Sequence, residues 1–328
     1  MRNHSSLEIS YFGKLPSHGD FIKAAENNHQ LIARLDQWAG DTLEALARDV
    51  AWKQLYDLGQ PVAFTLMGSK SNIVVSGHLL PSQDTSGRRF PFISASSFEV
   101  AKPVEFMAHS PLALSLLNNR LNQIGSELLE SHDPQSLLKD LVSNQIKINL
   151  DSKKLNHTFS QFLEEQTLGS LQKLLDSSQQ TVCVRRIFIA LGVLLQPIIS
   201  AGSAGVGKGI VLPLPEAESM LQHQVASLWM DLISGFLGKA DFRVLMLQRQ
   251  TGPALLAIGF NGLATQHLQA MFDPNQLESD FIPLYDPDWA DEHIHSDQHL
   301  NKLATYTEHQ ELSLSTARDT FHATFLGV

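Results

Sequence analysis

Cysteine is nearly absent: the 328 residues contain one, Cys183, set between two valines. No intramolecular disulfide and no multi-cysteine zinc site is therefore open to this chain, and Cys183 reads as a small buried hydrophobe suited to a reducing compartment. A chain of this length buries most of its surface without such staples. Basic charge is also scarce, with 24 Lys and Arg against 34 Asp and Glu and a formal net charge of −10. A surface of that sign repels nucleic acid phosphates and anionic lipid. The pairs Arg88-Arg89, Lys153-Lys154 and Arg185-Arg186 are too short and scattered to reverse the field. Long apolar runs are missing too. The greasiest stretch, "IFIALGVLLQPII" (187–199), is shorter than a membrane span and is interrupted by Gln196 and Pro197. The opening "MRNHSSLEIS" lacks the apolar centre of a signal peptide. These absences lead to the expectation of a cytoplasmic protein without nucleic acid partners or membrane insertion.

What is present is a globular pattern, with 43% hydrophobic residues. "LEISY" (7–11) alternates with the period of a half-buried strand. Leu31, Ile32, Leu35, Trp38, Ala39, Leu43, Leu46 and Val50 recur at helical spacing. "VAFTLM", "NIVVSGHLL" and "FPFISASSF" read as strands, and 104–180 reads as helical. "GIVLPLP" predicts an edge strand, because Pro213 has no N–H to give a ladder. Pro215 is expected to open a helix, with Glu216 and Glu218 near its positive end, that buries Val225, Leu228, Trp229 and Phe236 and stops at Gly238. "FRVLMLQ" and "ALLAIGF" supply two more strands. The order predicts one α/β unit whose sheet gathers early and late strands. From residue 286 the periodicity fades, so 286–328 is expected to be a polar C-terminal extension.

Three stretches imitate reaction centres. "GSAGVGKG" (202–209) places Gly202, Gly207 and Lys208 on the pattern of a phosphate-binding loop. Gly209 stands where that loop needs a Ser or Thr for magnesium, and "IVLPLP" follows where a helix should open. "DEHIHSDQH" (291–299) clusters Asp291, His293, His295, Asp297 and His299, yet its polar surroundings offer no dry shell to orient metal ligands. Ser17, His18 and Asp20 have the residue types of a hydrolase triad, but near-neighbours in sequence cannot form the relay. No catalytic residue, cofactor or metal ligand is expected from any of them.

Two polar loops remain. In "PSQDTSGRRFP" (81–91) Asp84 lies close to Arg88 and Arg89 around the bend at Gly87, which reads either as a salt-bridged turn or as a recognition platform. In "GKLPSHGDF" (13–21) glycines and a proline dictate an unusual backbone path, and Asp20 can close the turn. With "LDQWAGDTLEAL" between them and "KGIVLPLP" later, this ordered series resembles the TagF family of type VI secretion-associated proteins, also called ImpM, over about 8–285.

That resemblance implies a three-layer αβα sandwich with a mixed sheet, holding the signature motifs in 8–100, the helical middle in 104–180 and a strand and helix portion in 183–285. It implies no established catalysis. Its members are post-translational regulators, the best characterised repressing the apparatus by binding a forkhead-associated scaffold. The family motif falls on Gly13, Lys14, Leu15, Pro16, Gly19, Asp20 and Phe21, and again on Pro81, Ser82, Asp84, Gly87, Arg88, Phe90 and Pro91. His18 stands where a basic residue is usual, Gln83 replaces an apolar one, and the strand before Pro81 lacks the usual tryptophan. Lys14, His18, Asp20, Asp84, Arg88 and Arg89 are the expected partner-contact or motif residues, with Leu15, Phe21, Phe90 and Pro91 packed beneath side-by-side loops. The alternatives are a structural or accessory subunit of the apparatus, and a nucleotide-binding enzyme acting through 202–208.

Overall fold

A computed structural model describes residues 4–25, 28–143, 145–176, 181–202, 207–216, 219–294 and 298–327. Its first half runs β1 (His4–Leu7), β2 (Ser10–Gly13), β3 (Ile22–Ala24), α1 (His29–Leu46), α2 (Trp52–Asp57), β4 (Val62–Gly68), β5 (Ile73–Leu80) and β6 (Phe92–Glu99). A helical stretch follows: α3 (Pro103–Ala113), α4 (Ser115–Glu130), α5 (Gln135–Ser143), β7 (Ile146–Asn149), α6 (Ser152–Glu165), α7 (Leu168–Leu175), α8 (Val184–Leu195) and α9 (Pro197–Ala201). Then come β8 (Gly209–Pro213), α10 (Ser219–Leu237), β9 (Arg243–Arg249), β10 (Leu255–Gly259), α11 (Thr265–Gln269), α12 (Pro274–Asp280) and β11 (Phe281–Pro283). The chain closes with α13 (Ala290–Ile294), α14 (Gln298–Glu308) and α15 (Leu314–Phe325).

Among the described residues nine strands form one mixed sheet in the order β11-β8-β10-β9-β4-β5-β6-β2-β3. Its neighbours pair antiparallel except β11 with β8. Early and late strands meet along a seven-residue seam from Val62↔Arg249 to Gly68↔Arg243. The central strands read as continuous apolar runs because both of their faces are buried. Val62, Phe64, Val75, Leu79, Leu245 and Leu247 turn to one face, where α1 and its neighbours contribute Ile32, Leu35 and Trp38. Met67, Val74, Leu80, Val244 and Met246 turn to the other, under Met107, Leu121, Trp229 and Phe236. This is the expected three-layer arrangement.

Local departures have local causes. "LEISY" divides between β1, which pairs with β7 apart from the main sheet, and β2. The four-residue strand β7 alternates Ile146 and Ile148 with polar residues, a signal too short to stand out inside a helical stretch. Strand β8 is not an edge strand along its first three residues, since β11 pairs with Gly209–Val211. Pro213 lies just beyond that pairing. Leu214 N–H donates to Ala254 on the β10 side, so the preceding peptide groups face the open side, where the Pro213 carbonyl accepts Trp229 Nε1 at 2.9 Å. The described part of α10 begins at Ser219, after Pro215 and Glu216. Helices α8 and α9 together make an apolar stretch, Val184–Ala201, of mean hydropathy 1.6, long enough by composition to cross a bilayer and half buried within the protein. Its Ile187, Phe188, Ile189 and Leu191 are fully buried core residues.

The segment after 286, expected as a polar extension, is folded onto the core. Asp286 and Asp291 are held by Arg186, and Asp291 also by Arg185, so this basic pair acts within the chain. Ser313 caps α15 through its side chain. Leu314, Ala317 and Phe321 of that helix have no exposed surface, and Arg318 grips Asp231 of α10 at 2.6 and 3.1 Å. The apolar positions are separated by charged and threonine residues, which is why the composition reads as polar.

Two buried histidines make acid sensitivity a property of this core. His78 of β5 and His223 of α10 are almost wholly buried, and burial pulls both pKa values down to about 4. Below the ordinary value of 6.5 the unfolded chain takes up protons that the folded chain refuses. Their contribution is therefore complete above that pH and is lost progressively down to about 4, at about 3 kcal/mol for each histidine. Urea midpoints measured from pH 7 to 4 should fall steeply, and His223→Leu should flatten the slope. A level profile over that range contradicts the assignment.

Candidate functional site: two interlocked loops

Residues 13–21 follow β2 and residues 81–91 connect β5 to β6. Because β2 pairs with β6, the sheet itself sets the two loops next to each other. Gly13 ends β2 at φ +128°, and its Cα lies so near the other loop that a Cβ would sit 2.0 Å from Pro91 O. Further bonds join the loops: Ser82 Oγ donates to Lys14 O at 2.7 Å, Thr85 N–H to His18 O at 3.0 Å, and Arg88 Nη2 to Gly19 O at 2.8 Å.

Asp84 is the centre of this junction. Its side chain has no exposed surface and takes Lys14 Nζ at 3.0 Å and Arg88 Nε at 2.7 Å on Oδ2. On Oδ1 it accepts Ser86 N–H at 2.9 Å and Arg88 N–H at 3.0 Å, closing its own turn. Burial would raise the carboxyl pKa, but the hydrogen bonds from Arg88, Lys14 and Ser86 outweigh it and hold the group well below the usual carboxylate range. Its contribution to stability is therefore complete above the ordinary carboxylate value and is lost progressively as pH falls below it. Gly87, at φ +75°, supplies the left-handed turn that returns the chain to Arg88.

The expected residues divide into inner and outer sets. Lys14 and Asp84 are internal, and Arg88, although its side chain is exposed, spends its guanidinium on Asp84 and Gly19 O. Arg89 does not join them. It forms a bidentate pair with Asp57 of α2, at 2.7 and 2.5 Å, and lies over the Trp52 ring. His18 is half-buried, with Nδ1 3.1 Å from Ser17 Oγ and Nε2 3.4 Å from the Gln135 amide, and among the described residues no carboxylate pairs with it. Asp20 is exposed and closes no turn among the described residues. Leu15 and Pro91 pack beneath as expected, but Phe21 is 42% exposed, edge-on to the half-buried Phe90 at 5.4 Å.

Sequence reasoning missed α2. Tyr56 OH donates to Ser82 O at 3.0 Å and accepts Ser82 N–H at 2.9 Å, and its ring stacks on Phe272. Nothing in the spacing of "WKQLYD" points to a loop 26 residues on; only tertiary packing brings α2 to it. Tyr56→Phe removes one oxygen that serves two buried backbone groups, so it should cost about 1–3 kcal/mol. Chemical denaturation of that variant checks the figure, and an unchanged midpoint would show that Ser82 finds other partners.

The imitations behave differently. Helix α9 enters the glycine turn and β8 leaves it, the reverse of a phosphate-binding loop; residues 203–206 lie outside the described set. In the late acidic and histidine cluster His295 and Asp297 also lie outside it, and among the described residues no group of three or more side chains is placed to hold a metal ion.

Comparison with known proteins follows from this geometry. PA0076 of Pseudomonas aeruginosa PAO1, known from a crystal structure, is similar to the chain at 19% identity and a TM-score of 0.34, over 41% of this chain and 61% of that one. The chain thus matches about three fifths of the length of PA0076. No curated protein sequence matches it. Residues 10–144 match the model of the TagF N-terminal domain, described as type VI secretion system-associated, and both interlocked loops fall inside that span. Residues 10–144 of this chain therefore carry a TagF N-terminal domain, of the type VI secretion system-associated kind.

Proposed function

We propose that this protein is a non-enzymatic cytoplasmic regulator of the type VI secretion apparatus, a post-translational repressor that binds a forkhead-associated scaffold. The observation that carries the reading is the division of labour in the two loops. Lys14, Asp84 and Arg88 are consumed in holding the loops rigid, which leaves Phe21 at the surface, backed by the half-buried Phe90. Arg89 over Trp52 lies on α2, which braces the second of these loops. Aromatic and arginine side chains on a rigid frame are the usual anchors of a protein interface, since they bury much area while losing little freedom. The match to the TagF N-terminal domain supports the secretion context. Capture of the scaffold from cells expressing the apparatus should be lost with a Lys14→Ala, Arg88→Ala pair, which loosens the frame. Undiminished capture would remove the loops from the interface.

A further inference from the structure

A second candidate site shares helix α2 with the loops but contains none of their residues. A cavity of about 510 Å³ opens between α2, α12 and the β9–β10 hairpin. Leu55, Leu58, Phe272, Leu277 and Pro283 give it apolar walls, and Arg249 stands among them. The wall at Phe272 depends on Gly59, where a Cβ would lie 2.6 Å from the Phe272 ring. Leu58, 67% exposed, forms an open rim.

Arg249 is the unusual member. Its Nε donates to Pro253 O at 3.2 Å, and among the described residues its terminal amino groups have no hydrogen-bond partner and no carboxylate within ion-pair distance. Glu278 lines the same cavity without reaching it. Burial lowers the pKa of this guanidinium, with only the Tyr285 hydroxyl acting the other way, so the cation sits in a setting that disfavours charge. A planar guanidinium with both terminal nitrogens unused matches a carboxylate in bidentate geometry. Apolar walls with a single fixed charge describe a pocket that orients an apolar ligand by its one polar end.

We infer that this cavity binds the C-terminal end of a peptide chain whose last residues are apolar, the terminal carboxylate on Arg249 and the side chains against Phe272 and Leu277. The open rim favours a chain end over a fatty acid, because the rest of a peptide must leave into solvent whereas an acyl chain needs enclosure. The inference stands whether or not the loops bind a scaffold.

Fluorescence polarisation with the full chain tests it, using fluorescein-labelled Gly-Leu-Leu-Phe as the free acid and as the C-terminal amide, with decanoate as competitor. The acid should bind at least 10-fold more tightly than the amide. Arg249→Gln, which retains a donor for Pro253 O, should bring the acid down to the level of the amide and leave the amide unchanged. Leu58→Asp, at an exposed rim position that does not threaten folding, should weaken the acid at least 10-fold. Equal binding of acid and amide, no response to either substitution, or no peptide binding up to millimolar concentration would overturn the inference. Displacement by decanoate in the absence of peptide specificity would assign the cavity to a lipid instead.

Discussion

Gly13→Ala is expected to cost about 3 kcal/mol or more in a urea unfolding experiment and to disorder both motif loops together. Two effects add. The φ of +128° is one that a side chain rarely adopts, which accounts for about 1–3 kcal/mol. The new methyl would also lie 2.0 Å from Pro91 O and 2.9 Å from Phe92 Cα, and both of these are backbone. Neither can swing aside as a long side chain would, so β2 must separate from β6 where the two loops meet. Gly40→Ala provides the contrast. That glycine sits within α1 with nothing within 4 Å of its Cβ position, so alanine there should stabilise by about 0.5–1 kcal/mol. A Gly13→Ala protein with wild-type stability would mean that the loops are not joined as described.

Phe321→Ala is expected to cost about 3–5 kcal/mol. The ring has no exposed surface and lies edge-on to Phe188 and Phe236 at 6.1 Å each, with Phe325 beside it. Removing it leaves a cavity at the meeting point of α8, α10 and α15, and such a site collapses poorly when its walls are aromatic. Leu116→Ala, at a position 64% exposed, should by comparison lie within about 0.5 kcal/mol of wild type. If Phe321→Ala behaved like Leu116→Ala, the last helix would be an appendage rather than part of the core.

The contrast between these two positions shows what could be read from sequence. Gly13 and the motif around it stand out locally, because glycine and proline spacing encodes a backbone path. The side-by-side placement of the loops also followed, and the Lys14–Asp84 distance of 3.0 Å meets it. The long strands β4, β5, β6, β9 and β10 were legible as apolar runs between turn residues. Phe321 was not legible. Its neighbours Arg318, Asp319, Thr320 and His322 are polar, and the meaning of Arg318 depends on Asp231, 87 residues earlier. Tyr56 and Asp57 were missed for the same reason, since their partners are set by tertiary packing. Composition misled in a further way at Phe21. An aromatic residue in a motif invites placement in the core, yet the loop turns it outward, and only the finished fold decides between those outcomes. Asp84 is the converse: its residue type allowed either a salt-bridged turn or an outward-facing contact, and the fold places it at the centre of the junction.

The central claim is that the locked loops exist to present Phe21 to a protein partner. Isothermal titration of the purified forkhead-associated scaffold into wild type and Phe21→Asp tests it directly. Phe21→Asp should still fold, losing its edge contact with Phe90 at a cost of about 0.5–1.5 kcal/mol, and should lose about 2 kcal/mol of binding free energy or more, about 30-fold in Kd. Equal Kd values for the two proteins would contradict the account.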